Sequence, residues 1–192
     1  MINFISIFFI LYGAIAVVYK VSIGSFWELL WACYWGMLFL GIAGLRRSSY
    51  WVMAMLSGLS IPLIVWTVDW VYQAITGLQL FGMSSFAFFQ VLAIEKIITY
   101  EHLILVPMGL ALLLLLKPTV NNKSWKVGLG IVTIAILLTY LSPVEENINC
   151  FHSGCGLGMY KYPQFLWVIA CYSMMFIGYF ILNQIIKWQQ NK

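Results

Sequence analysis

Little of this sequence is charged: among 192 residues only ten are Lys or Arg and six are Asp or Glu, together 8%. That is too few to cover a water-facing globule of this size. Histidine occurs twice and cysteine four times. No P-loop, GxSxG, HExxH or dinucleotide fingerprint is present, which removes the familiar nucleotide-binding, serine-hydrolase and zincin readings. A bis-histidine haem would need His102 and His152 to face one another across one cavity, and their spacing gives no reason to expect it. The formal charge of +4 does not imply nucleic acid as a partner, because the basic residues are scattered among helix ends and form no contiguous basic face. Long linkers, repeats and low-complexity tracts are missing too, so residues 1–192 read as a single integral membrane domain.

What the chain does have is apolar length, with 63% hydrophobic and 17% aromatic residues. A helix needs about 20 apolar residues to cross about 30 Å of hydrocarbon. Six stretches are candidates: Ile2 to Tyr19, Phe26 to Leu45, Tyr50 to Tyr72, His102 to Leu116, Val127 to Leu141 and Phe165 to Ile186. The fourth is short unless it borrows residues upstream. The first has no basic region ahead of its apolar run and is expected to be retained rather than cleaved as a signal peptide. The fold class is therefore all-α, a polytopic membrane helix bundle with six transmembrane helices. The apolar stretch Ser85 to Tyr100 is expected to form an interfacial or re-entrant helix on the outer face.

Arg46 and Arg47, then Lys117, Lys123 and Lys126, then Lys187 and Lys192 fall on one side of a six-span chain. By the positive-inside rule that side is the cytoplasm, with N and C termini inside a bacterial-type cytoplasmic (inner) membrane. Glu28, Asp69, Glu95, Glu101, Glu145 and Glu146 then lie on or near the outer face, as do both histidines and the pair Cys150 and Cys155.

The candidate chemistry sits on that face. Asp69 ends the third span among Trp66, Trp70 and Tyr72, where it is either an interfacial anchor or a member of a site. His102 heads the fourth span and can move a proton near neutral pH. Adjacent helix residues point about 100° apart, so Asp69 rather than Glu101 is the expected partner that orients it. Pro107 should kink the same helix one turn below. The polar interval from Ser142 to Gln164 reads as a lid. Within it, Cys150 and Cys155, separated by four residues including a Gly, can close a small disulfide loop in an oxidising compartment. Cys150, His152 and Cys155 are alternatively three metal ligands, or Cys150 is a thiolate paired with a histidine. Cys33 and Cys171 lie in apolar spans and by default pack as small hydrophobes. No cofactor is implied.

Asp69 at the end of one span, His102 at the head of the next and Asn147-Ile148-Asn149 after the fifth give an order that resembles a mostly uncharacterised group of bacterial six-helix integral membrane proteins. The layout, over residues 26–186, is more distantly similar to membrane phospholipid acyltransferase-related proteins, which use a Cys and a His close together at the head of an early helix. The comparable stretch here, Trp27-Glu28-Leu29-Leu30-Trp31-Ala32-Cys33, has no histidine, which leaves Cys33 with His102 or His152 as a base from elsewhere in the fold.

The resemblance implies a lipid-handling enzyme of acyl-transfer type with an outward-facing polar site. His102 would act as base, Asp69 would orient it, and Asn147 or Asn149 would polarise the substrate carbonyl. The competing expectations are a non-catalytic lipid-binding or partner-docking membrane subunit and, less well matched to acids gathered on one face, a small transporter. The expected partners are membrane lipids and a membrane protein docked on the outer loop.

Overall fold

The computed structural model describes residues 1–84, 86–89, 92–118, 123–146, 152 and 164–191. Among them every regular element is helical: α1 (Ile2–Ser22), α2 (Ala32–Leu45), α3 (Ser49–Thr76), α4 (Phe86–Phe89), α5 (Ala93–Thr99), α6 (Glu101–Leu115), α7 (Ser124–Tyr140) and α8 (Gln164–Gln190), with 3-10 turns at Phe26–Leu30 and Val144–Glu146. Four stretches are long and apolar enough to cross a membrane, namely Ile2–Ser22, Ser49–Thr76, Ala93–Leu115 and Gln164–Gln190, while α2 and α7 are shorter apolar helices. Such a set of helices belongs to an integral membrane protein.

Side-chain bonds gather alternate helix ends at one pole. The Arg47 guanidinium donates to Asn3 Oδ1 at 3.2 Å, and the Tyr50 hydroxyl donates to the Lys123 carbonyl at 3.4 Å. Gln190 Nε2 donates to the Pro118 carbonyl at 2.9 Å. The start of α1, the α2–α3 turn, the α6–α7 connection and the end of α8 therefore share this pole. The chain runs up and down between it and the opposite one.

The mast of the bundle is α3. Ser48 caps its start by accepting from Trp51 N–H, and Gly77 at φ 72° ends it in the left-handed conformation that glycine adopts without strain. Each helix packed on α3 meets it with a glycine. A Cβ on Gly36 of α2 would overlap Leu59, and one on Gly109 of α6 would lie 2.7 Å from Leu56 Cδ2. One on Gly128 of α7 would lie 3.2 Å from the Ala54 carbonyl, and one on Gly178 of α8 2.7 Å from the Ser57 carbonyl. Without a hydrophobic drive between helices in lipid, such close backbone approach supplies the van der Waals contact that holds them together.

Two segments depart from the sequence expectation. Phe26 to Leu45 is not one helix: a 3-10 turn covers Phe26–Leu30, Trp31 is extended, and α2 begins only at Ala32. Its 14 residues rise about 21 Å, less than the hydrocarbon thickness. Residues 85–100 are not a separate interfacial helix throughout. From Ala93 onward the chain continues through the helical Tyr100 into α6, giving a stretch of 23 residues from Ala93 to Leu115 that is long and apolar enough to cross a membrane. Glu101 and His102 thereby lie inside this stretch and not at its head, roughly 12 Å along the axis from Ala93.

A buried thiol, carboxyl and imidazole as candidate functional site

The break at Trp31 turns the start of α2 inward and carries Cys33 into the core, where it is 5% exposed. The continuation of α5 into α6 does the same for Glu101, which has no exposed surface. With His102 they form a cluster in which one ligating atom of each residue lies within 4.8 Å of the others. Neither Glu101 oxygen has an N–H or O–H partner among the described residues; the group facing the carboxyl is the Cys33 thiol, a weak donor. Glu101 Oε1 is 3.9 Å from His102 Nδ1, too long for a hydrogen bond. Lys20 is 8% exposed on α1 and directs its ammonium to Glu28 at 2.5 Å, so its charge reaches Glu101 only at a distance. An acid so placed inside a span is costly, and such residues mark functional positions.

The imidazole is held from two sides. Its Nδ1 lies 2.9 Å from the Thr99 carbonyl, a bond that requires the proton on Nδ1, so the neutral ring carries its lone pair on Nε2. The Trp66 ring packs against it, tilted by 31°, at a centroid distance of 4.3 Å. Thr67 of α3 bonds the His102 carbonyl at 3.3 Å. The His102 side chain keeps 11% of its surface exposed, the most of the three.

Asp69 has another task. Its Oδ1 accepts from the N–H groups of Phe81 (2.6 Å) and Gly82 (3.2 Å), and its Oδ2 from the N–H (2.7 Å) and hydroxyl (2.8 Å) of Ser84. Four bonds occupy both oxygens and fasten the connection after α3 over the end of that helix. The orientation of His102 thus comes from Thr99 and Trp66, in place of the Asp69 expected from sequence.

His152 is apart from the cluster, with Nε2 at 3.2 Å from the Ser142 carbonyl beyond α7. Asn147, Asn149, Cys150 and Cys155 lie outside the described residues, so the disulfide, metal and carbonyl-polarising expectations that fall on them do too. Two members of the cluster escape a reading of the sequence. Cys33 looks like core filler and Glu101 like an outer-face acid until α2 and α6 are brought together. The one usable signal was an acid and a histidine adjacent in an otherwise apolar stretch.

Comparison of the chain with protein-family models, with curated proteins and with solved structures finds no match.

Proposed function

We propose that the protein is a lipid-handling membrane enzyme that transfers acyl groups through the thiol of Cys33. The observation that carries this reading is the meeting of Cys33 with His102 and Glu101, which supplies from α6 the histidine that the sequence around Cys33 lacks. A thiol becomes a nucleophile when a base takes its proton.

In the first half-reaction the sulfur of Cys33 attacks the carbonyl carbon of a lipid ester. A C–S bond forms, the C–O bond breaks, and the thiol proton passes through His102 to the departing alkoxide, leaving a lysolipid and an acyl-thioester. In the second, a hydroxyl or amine attacks the thioester and gives its proton to His102. The C–S bond breaks and the thiol is restored. Trp66 and Thr99 hold the ring in register for both proton transfers.

We further read the bundle as crossing the membrane six times, with α2 and its preceding 3-10 turn as the second crossing and α7 as the fifth. The pole bearing Arg46, Arg47, Lys117, Lys123 and Lys126 faces the cytoplasm of a bacterial-type cell, and N and C termini lie on that side. The cluster then opens toward the outer leaflet, and membrane lipids are the substrates.

The test is lysophospholipid release in nanodiscs holding phospholipids labelled in the acyl chain, with Cys33→Ala and His102→Ala alongside the unmodified chain. Both variants should lose turnover, the second by roughly 10²- to 10⁴-fold, while inserting and purifying normally. Equal release by all three sinks the reading. Lipid that co-purifies but is never cleaved favours the lipid-binding subunit instead.

A further inference from the structure

We propose that Cys33, Glu101 and His102 also form a binding site for a soft divalent cation, Zn²⁺, and that metal and acyl group exclude each other at Cys33. The metal site stands on geometry alone; only the exclusion rests on the acyl-transfer reading.

The donor set fits this ion by type. Thiolate, imidazole and carboxylate are zinc ligands, whereas Mg²⁺ and Ca²⁺ call for oxygen donors throughout. Ligand atoms around tetrahedral zinc stand about 3.3–3.8 Å apart, given metal–ligand bonds of about 2.0–2.3 Å. One ligating atom of each of the three residues already lies within 4.8 Å of the others.

Two further observations point the same way. First, Glu101 is wholly buried and neither oxygen has an N–H or O–H partner among the described residues. A buried carboxylate is tolerated when it is paired or coordinates a metal. Second, the nearby ammonium of Lys20 is engaged by Glu28 at 2.5 Å and does not supply that pair. Charge balances as well. A thiolate and a carboxylate cancel the two charges of Zn²⁺, and the protons of the thiol and of the buried carboxyl leave for solvent as the metal enters. Three protein ligands leave a fourth position open to water or a substrate oxygen. A sulfur lone pair committed to zinc is withdrawn from attack on an ester, so bound metal holds the site inactive.

The experiment uses the full chain in nanodiscs, without a histidine tag, freed of metal by chelation. Co²⁺ is titrated while the thiolate-to-cobalt charge-transfer band is followed, bound metal is counted by mass spectrometry, and Zn²⁺ is added to displace it. The expected result is one metal per chain and a band that is absent in Cys33→Ser. In Glu101→Gln, which keeps the size of the side chain, affinity should fall roughly tenfold or more, given that losses of 10- to 100-fold follow even outer-shell changes. A band that persists in Cys33→Ser, or metal bound without any thiolate band, overturns the site. If metal binds as described but the metal-free protein never forms a thioester, the acyl-transfer reading fails and the metal site stands. If the thioester forms equally with and without saturating Zn²⁺, the exclusion is wrong.

Discussion

The thiol of Cys33 faces the carboxyl group of Glu101 inside the bundle, although the two residues belong to the first turns of different helices. Around this pair the cost of a buried acid, the break before α2 and the continuity of α5 with α6 become parts of one arrangement.

Glu101 has no N–H or O–H partner to lose, so its carboxyl does not add to the stability of the fold. Glu101→Gln should leave the thermal midpoint in detergent unchanged or raised, while metal binding falls. A drop beyond roughly 4 °C, about 1 kcal/mol or more for a chain of this size, would assign Glu101 a structural role instead.

Asp69 is the converse case. Asn at this position keeps one acceptor and points an amide at N–H groups that already need partners. Asp69→Asn should release residues 77–84, seen as faster amide hydrogen exchange there, and cost about 1.5–3 kcal/mol for a lost charged hydrogen bond. Turnover should change less than in His102→Ala, because Asp69 binds the loop and not the imidazole. Unchanged exchange in 77–84 would contradict the anchoring role.

Close helix contact on α3 gives a paired prediction. Gly178→Ala puts a Cβ 2.7 Å from the Ser57 carbonyl, a backbone atom that cannot swing away, and should destabilise by about 1–3 kcal/mol. Gly130→Ala meets nothing within 4 Å on the exposed side of α7 and should be neutral or stabilising by up to about 1 kcal/mol. Thermal unfolding of both in one detergent decides it, and equal effects would contradict the packing described.

The orientation is tested with single cysteines and an impermeant thiol reagent on intact cells. Gln79→Cys should label at once and Arg47→Cys only after the membrane that holds the protein is permeabilised. The opposite pattern reverses the topology.

The all-α class and the helices α1, α3 and α8 were legible in the sequence because an apolar run of about 20 residues has few alternatives in lipid. The break at Trp31 was not, since the apolar composition of Phe26 to Leu45 is the same in a 3-10 turn, an extended residue or a helix. Residues 93–100 were misplaced for a related reason. Glu95, Lys96 and Glu101 made them look interfacial, yet Glu95 accepts from the Tyr19 hydroxyl at 3.3 Å and Glu101 turns inward, so a helical stretch long enough to cross carries all three. His102 could be singled out as a rare residue in an apolar stretch. Its neighbours could not, because Cys33, Trp66 and Glu101 meet only when α2, α3 and α6 pack, and spacing along the chain does not encode that meeting.

The most direct test of the central claim is intact-protein and peptide mass spectrometry after metal-free protein is incubated with phospholipid and quenched in acid. One hydroxylamine-labile acyl adduct should map to Cys33, form in the unmodified chain, and be lost in His102→Ala. No adduct, or one on another residue, would contradict a reactive centre at Cys33, Glu101 and His102.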